Sequence, residues 1–194
     1  TTFADFDLDG DLDLFVANGH VFPEVDAAPT GTTYAQLNQL FLNDGPPGFF
    51  RDISFTAGSG LEVEQVSRGT SFGDYDSDGD VDIFIVNLND TPTLLRNELV
   101  GGGNWLVVQV EGEKGVSRDA VGTRVVVETA DGGKQLRVVD GAGSYLSHND
   151  IRAHFGLGGH TEVTAVEITW PDGEVQKLES LPANKLISVR KGEE

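Results

Sequence analysis

Two aspartate-rich segments constrain this chain more than any other feature of its sequence. Both follow the pattern D-x-D-x-D-G-D-x-D, the first over residues 5–13 and the second over residues 74–82. Carboxylates at alternate positions, followed by a glycine, allow a tight loop to turn several oxygens toward one cation. Without a cation, each pair of like charges about 4 Å apart costs roughly 4 kcal/mol at an effective dielectric constant of about 20. The sequence therefore predicts two metal-binding loops rather than two acidic surface turns.

Calcium is the metal that these loops favour, because Ca²⁺ takes about six to eight oxygen ligands whereas Mg²⁺ keeps several of its waters. Zinc is disfavoured by the absence of cysteine and of paired histidines near the loops. We expect one Ca²⁺ in each loop, held by four aspartate side chains and by the backbone carbonyl of the fourth aspartate. The predicted side-chain ligands are Asp5, Asp7, Asp9, Asp13, Asp74, Asp76, Asp78 and Asp82, and the predicted carbonyl ligands are Asp11 and Asp80.

The residues around the loops argue against an EF-hand. An EF-hand carries a glutamate at loop position twelve, where this chain has Val16 and Ile85. An EF-hand also lies between two helices, but residues 14–18 and 83–87 are β-branched and aromatic runs that predict buried strands. The fifth aspartate of each loop is expected to complete the ligand shell in place of the missing glutamate.

Composition narrows the classes of partner. The formal net charge is −19, so the chain is expected to repel nucleic acid and anionic lipid surfaces. The absence of cysteine excludes disulfides and thiolate metal sites and is compatible with an oxidising compartment. The sequence has no run of apolar residues long enough for a transmembrane segment, and it has neither a signal peptide nor an initial methionine. We therefore expect a part of a longer protein.

The two loops belong to a longer internal repeat. Asp74 follows Asp5 at a distance of 69 residues, and the segment LFLN at 40–43 matches LLRN at 94–97. The first copy carries an insertion of about fifteen residues within 21–37, where prolines and glycine predict a long loop. Units of short strands usually need about three or more copies to bury their faces. Residues 1–100 are therefore expected to hold two repeats of a longer array, the first of them incomplete.

From about residue 104 the aspartate loops give way to short strands and glycine-rich turns. This spacing predicts an antiparallel β-sandwich, joined to the repeats by a flexible glycine segment at 101–103. The sequence shows no long amphipathic helix. The predicted strands cover residues 105–110, 121–128, 135–139, 161–170, 174–178 and 186–190.

These features resemble known families. The loops with their flanking phenylalanine and trailing strand resemble FG-GAP or VCBS repeats, the calcium-bearing blades of integrin-type β-propellers. The second half resembles the ASPIC/UnbV domain, and the whole is similar to the C-terminal end of the family related to cartilage acidic protein. The segments that carry the second resemblance are NWL at 104–106, AVGTRV at 120–125, GSYLS at 143–147, HFGLG at 154–158 and WPDG at 170–173.

The resemblance implies a fold and a location. The expected fold is all-β, with two β-propeller-type, integrin-like blades over residues 1–100, followed by a small antiparallel β-sandwich over residues 104–194. The location that it implies is secreted or periplasmic. Calcium ligation carries over onto the aspartates of both loops.

Other candidate sites are weaker. The segment SHND at 147–150 contains the residue types of a catalytic triad, but neighbours along one strand or turn point in different directions. His154 and His160 flank a glycine-rich turn, where a packed histidine and an exposed one are expected rather than a metal pair. Trp105 and Trp170 lie at strand positions, which favours the core over stacking on a sugar ring.

We therefore expect a protein that is not an enzyme. In this hypothesis calcium rigidifies the blades, and the exposed faces bind a protein or a glycan in the extracellular space or the periplasm, without nucleic acid. One alternative is a structural subunit of a larger periplasmic or surface complex. Another is a glycan-binding accessory domain of an enzyme, which an exposed groove holding Trp105 or Trp170 favours.

Overall fold

Short strands joined by tight turns make up the chain, as the β-branched and aromatic runs of the sequence predict. The structure is a computed structural model and describes residues 1–46, 48–113 and 115–193. Within these residues the helical segments are two 3-10 helices, Pro23–Ala27 and Ser59–Leu61. The all-β prediction is therefore confirmed. The strands are β1 (Thr2–Ala4), β2 (Asp13–Val16), β3 (Gln39–Leu42), β4 (Arg51–Asp52), β5 (Ser67–Gly73), β6 (Asp82–Asn87), β7 (Thr93–Leu95), β8 (Asn104–Glu111), β9 (Arg124–Glu128), β10 (Lys134–Val138), β11 (Ala153–Gly158), β12 (Glu162–Thr169), β13 (Val175–Pro182) and β14 (Lys185–Arg190).

The first half of the chain forms two small antiparallel sheets, one for each copy of the repeat. Strands β1 to β4 pair in sequence order, and β5 to β7 do the same in the second sheet. Each sheet begins with a hairpin whose connecting loop is one of the aspartate-rich segments. No sheet closes into a barrel in the part of the chain that is described. The interpretation of the two sheets as propeller blades stays a prediction.

These two sheets share one hydrophobic core. Phe15 of β2 is fully buried, and its ring meets Phe72 of β5 edge-on at a centroid distance of 6.0 Å. Phe6 packs against the same ring at 5.7 Å. The other buried members of this core are Leu61, Val81, Ile83 and Ile85. Because Phe6 and Val81 belong to the aspartate loops, the core fixes both loops to the sheets.

The inserted segment at 21–37 is largely irregular, as predicted, apart from the 3-10 helix at Pro23–Ala27. It is tied down near both ends. His20 donates its backbone N–H to the Tyr34 carbonyl at 2.9 Å, and Gln36 exchanges two backbone hydrogen bonds with Gln65. The insertion is therefore attached to the chain just before β5.

The second half folds as two sheets packed around a separate core. One sheet has the order β10-β9-β12-β13, and the other has the order β11-β8-β14. Both sheets contribute fully buried side chains to this core, among them Val125, Ile168, Leu106 and Phe155. No helix in the described residues has the length and apolar character that crossing a bilayer requires.

One strand pair differs from the predicted antiparallel sandwich. Strand β14 runs parallel to β8, with Lys185 opposite Leu106 and Arg190 opposite Glu111. Parallel neighbours need a crossover connection, and here the chain between β8 and β14 supplies it by forming β11 and the four strands of the other sheet. The prediction of a wholly antiparallel sandwich is wrong for this pair, because the residue pattern of a short strand does not reveal its direction.

Candidate metal centres

The first aspartate loop gathers carboxylates into a small volume. Oxygens of Asp5, Asp7 and Asp13 lie within 4.8 Å of one another. Asp5 and Asp13 are buried, with 2% and 1% of their surfaces exposed, whereas Asp9 and Asp11 are exposed. Oδ1 of Asp9 accepts the backbone N–H of Asp11 at 2.8 Å. The structure thus brings together three of the five residues predicted to bind metal in this loop.

The second loop gathers a related set. Oxygens of Asp74, Asp76 and Asp78 lie within 4.8 Å of one another. Oδ2 of Asp80 accepts the backbone N–H of Leu99 at 3.0 Å, so this side chain has a partner outside the cluster. The cluster in this loop therefore includes the third aspartate of the pattern, where the cluster in the first loop includes the fifth.

The fifth aspartate of each loop ties the loop to the strands beside it. Oδ2 of Asp13 accepts the backbone N–H of Phe6 at 2.8 Å, and its Oδ1 accepts that of Asn43 at 2.9 Å. Asp82 makes the same two bonds in the second copy, where the donors are the residue after the first aspartate and Asn97. Asp13 and Asp82 are both buried. These aspartates hold the geometry of the loops whether or not they also bind an ion.

Both loops adopt the same strained backbone conformation. The fourth residue has a left-handed φ in each copy, 63° at Leu8 and 64° at Ser77. The glycine two positions later has a φ of 105° in the first loop and 101° in the second. A left-handed conformation costs a residue with a side chain on the order of 1 kcal/mol or more. Two copies of the same strain indicate that the turn serves the convergence of the carboxylates.

Burial dominates the electrostatics of the first loop. It raises the pKa of Asp5 to about 7, against the nearby positive charge of Arg137, and the other loop aspartates raise it further. Burial also raises the pKa of Asp13 to about 6, although two backbone N–H groups oppose the change. The pKa of Asp82 is raised by burial in the same way. Such carboxyl groups are ionised at neutral pH only at a cost, which a bound cation removes.

The two oxygens of Asp5 have different surroundings. Oδ2 accepts the backbone N–H groups of Gly10 and Gly156, each at 3.0 Å. Oδ1 is buried and has no hydrogen-bond partner among the described residues. A buried carboxylate oxygen without a partner costs free energy. The residues present therefore fit a hard cation, because oxygens of Asp5, Asp7 and Asp13 lie close together and Oδ1 of Asp5 has no protein donor among the described residues.

The second half of the chain packs directly on the first loop. Besides the bond from Gly156 to Asp5, the backbone N–H of Gly158 donates to the Leu8 carbonyl at 2.8 Å. A methyl group on Gly156 would lie 2.2 Å from Oδ2 of Asp5 and 2.6 Å from the Leu8 backbone. Only glycine fits between the two halves at this position.

The second loop is held from the same side. Nε2 of His154 lies 2.8 Å from the Gly79 carbonyl and donates to it. Arg152 donates from Nη2 to the Asp74 carbonyl at 3.1 Å. A methyl group on Gly79 would lie 2.0 Å from the indole nitrogen of Trp105. Both aspartate loops thus lie at the junction between the halves, which the spacing of the loops in the sequence does not reveal.

The segment predicted to be non-catalytic, SHND at 147–150, also belongs to this junction. Asp150 donates its backbone N–H to the Phe72 carbonyl at 2.9 Å, and the Phe72 N–H donates to Oδ1 of Asn149 at 3.3 Å. Ser71 donates its hydroxyl to the His148 carbonyl. These bonds cover the outer edge of β5, which sheet pairing leaves open.

The remaining candidate residues are the two tryptophans and His160. Trp170 is 1% exposed and belongs to the core of the second half, while Trp105 lies against Gly79. The Trp170 ring is therefore not placed to stack on a sugar, whereas Trp105 is partly exposed. Nε2 of His160 lies 3.6 Å from Oδ2 of Asp131, whereas Nε2 of His154, six residues earlier, faces the Gly79 carbonyl, so the two imidazoles have different partners.

Comparison with known proteins finds a family match for most of the second half. Residues 112–194 match the family model described as ASPIC and UnbV. The chain is 30% identical to cartilage acidic protein 1 of Mus musculus over 191 residues, which are 96% of the chain and 28% of that protein. It is also 30% identical to cartilage acidic protein 1 of Homo sapiens over 175 residues, or 89% of the chain and 24% of that protein. The chain thus spans about a quarter of the length of these relatives. The resemblance of the second half to ASPIC/UnbV is confirmed, and the FG-GAP or VCBS resemblance of the first half stays a prediction.

The raised pKa of Asp5 predicts a pH dependence in metal-free buffer. The folded state holds the Asp5 proton more tightly than the unfolded state, so its stabilising effect is present at about pH 4 and is lost as the pH rises through about 7. Relative to Asp5→Asn, the protein is expected to lose up to about 4 kcal/mol of unfolding free energy over this range. Urea denaturation in chelator at several pH values measures the difference.

A matched control for this measurement is Asp119→Asn, which removes one exposed carboxylate outside both loops. Its unfolding free energy is expected to run parallel to that of the wild type between about pH 4 and about pH 7. Parallel curves for Asp5→Asn as well would contradict the assigned pKa shift.

Proposed function

We propose that this chain is a calcium-binding interaction module without catalysis of its own. Two Ca²⁺ ions, one in each aspartate loop, stabilise the two repeats and hold the second half of the chain against them. The observation that carries the proposal is the unpartnered, buried Oδ1 of Asp5, which points to a cation at the centre of the first loop. The same backbone conformation in the second loop supports a second ion there.

The shared position of Asp5 supports the role of the ion as a clamp. One oxygen of this carboxylate accepts from Gly156 in the second half, and the other is available to the ion. A cation bound to Oδ1 keeps Asp5 ionised, and an ionised carboxylate is a stronger acceptor for the Gly156 N–H than a protonated one. Ion binding and the packing of the two halves are therefore expected to stabilise each other.

The proposed location is outside the cytoplasm, either extracellular or periplasmic. Calcium modules of extracellular proteins have dissociation constants of about 10⁻⁴ to 10⁻³ M, which suits loops of this kind in a calcium-rich compartment. The absence of cysteine is compatible with an oxidising compartment, and the name of the relatives refers to cartilage. The family resemblance supports the same location.

A cleft between the two halves supports the interaction role. It encloses about 570 Å³ beside both loops, between β1 of the first half and β10 of the second. Phe3, Leu136 and Val138 line it with exposed apolar surface, and Arg152 and Asp150 add charged groups. We propose that a protein segment binds here. The burial of Trp170 disfavours a glycan-binding platform at that residue.

Calcium removal is the first test of the proposal. Ca²⁺ at about 100 times its dissociation constant would stabilise the fold by roughly 2.7 kcal/mol for each loop. Addition of EGTA to the calcium-loaded protein is therefore expected to lower the melting temperature by several degrees, as followed by circular dichroism. Mg²⁺ at equal concentration is the matched ion and is expected to restore much less. A melting curve that is the same with calcium and with EGTA would contradict the proposal.

The clamp predicts a calcium effect for a residue that is not a metal ligand. Gly156→Ala places a methyl group against Asp5 and Leu8, so it is expected to weaken calcium binding at the first loop about tenfold or more, as measured by calorimetry. Gly159→Ala is the matched control, because a methyl group there meets no atom within 4 Å. Equal calcium affinity for the two variants would contradict a coupling through Asp5 between calcium binding and the packing of the two halves.

The cleft predicts a calcium-dependent partner. Protein captured on the immobilised chain from an extracellular extract is expected to elute with EGTA. It is also expected to be lost when Leu136→Asp puts a charge into the cleft. Val175→Asp, at an exposed position on β13, is the control and is expected to retain the partner. If the Leu136→Asp variant still retained the captured protein, the cleft would not be its binding site.

A further inference from the structure

The two copies of the repeat differ at one position beside the metal centre. The residue before Asn43 is Leu42, and the residue before Asn97 is Arg96. Asn43 and Asn97 each donate a backbone N–H to the fifth aspartate of their loop, at 2.9 Å in both copies. Leu42 and Arg96 are therefore equivalent positions, and the repeat supplies a matched comparison between them.

Arg96 pairs with two of the carboxylates that cluster in the second loop. Its Nε lies 2.9 Å from Oδ2 of Asp76, and its Nη2 lies 3.6 Å from Oδ2 of Asp78. The same Nε is 3.2 Å from Glu98. The side chain is half exposed, with 47% of its surface accessible, so it can move away without unpacking the core. Both paired aspartates belong to the cluster that also includes Asp74.

The first loop has no such pair. Among the described residues, no lysine or arginine lies within 4.0 Å of a carboxylate of Asp5, Asp7 or Asp13 in an ion pair. Arg51 pairs with Asp44 instead. Leu42 offers no charge to the loop.

The two arginines of the second half that lie near the loops do not pair with the clustered carboxylates of either loop. Arg137 is near Asp5, but its guanidinium donates to the His154 carbonyl at 3.1 Å and lies over the Phe155 ring, so it is fixed outside the cluster. Arg152 stands beside the second loop and donates to the Asp74 carbonyl. Each loop thus has one fixed arginine at the junction, and only the second loop has an additional arginine on its own carboxylates.

We propose that Arg96 is a tethered counter-cation that lowers the calcium affinity of the second loop relative to the first. This inference rests on the proposed calcium function. In the metal-free protein Arg96 partly neutralises Asp76 and Asp78, and an incoming Ca²⁺ must displace it. The first loop, without this competitor, fills at lower calcium concentration. The protein therefore has a tight site that fixes the junction and a weaker site that responds to changes in calcium.

Calorimetric titration of the purified chain with CaCl₂ tests this inference. Arg96→Leu, which copies the first loop, is expected to tighten the second site about fivefold, because an exposed ion pair contributes up to about 1 kcal/mol. Leu42→Arg, which copies the second loop, is expected to weaken the first site by a similar factor. Both effects are expected to shrink as the ionic strength rises.

Two further sets of variants assign the sites and the charge effect. Asp7→Asn with Asp9→Asn silences the first loop, so the Arg96→Leu effect can be read on the second loop alone. Arg118→Leu removes a remote, 86% exposed arginine side chain and is expected to leave both affinities unchanged. If the wild type binds two Ca²⁺ ions and Arg96→Leu leaves the second site within about twofold, or weakens it, the role of Arg96 is overturned. If the wild type binds no calcium at all, the failure lies with the proposed function.

Discussion

The burial of one carboxyl group at the junction of the two halves is the constraint on which the rest of the structure depends. Asp5 is 2% exposed, and burial raises its pKa to about 7. One of its oxygens accepts two backbone N–H groups, one from its own loop and one from Gly156 in the other half. The other oxygen lacks a protein partner among the described residues. The hairpin of the first repeat and the backbone of Gly156 in the second half thus meet at a single carboxyl group.

Residues of the second half contact both aspartate loops at the junction. Gly156 and Gly158 contact the first loop, and Arg152, His154 and the Trp105 indole contact the second. All five residues come from β8 and from the segment 152–158. Under the proposed calcium function, linkage is reciprocal, so a group that improves the docking of the second half would also improve ion binding by the loops that it contacts. Residues of the half that resembles ASPIC/UnbV therefore contact the aspartate loops of the other half.

The sequence predicts much of this architecture, because the responsible signals are local. Alternating aspartates with one glycine specify each loop, and the strands that follow it are marked by β-branched residues. The junction is not local. Gly156 stands 151 positions from Asp5, and nothing in the periodicity of the glycine-rich segment 156–159 indicates which backbone it approaches. The left-handed Leu8 is likewise hidden, because leucine is a residue that rarely adopts that conformation.

The parallel pairing of β14 with β8 bears on the order of assembly. The last strand of the chain completes the sheet that the first strand of the second half begins, and Lys185 faces Leu106 across a separation of 79 residues. Contacts so distant along a chain form slowly, because a large loop must close before they stabilise anything. During synthesis, β8 therefore lacks one of its two neighbours until β14 has left the ribosome. Truncation after β13 would leave an open apolar edge at the centre of the second half, next to the surface that receives both aspartate loops.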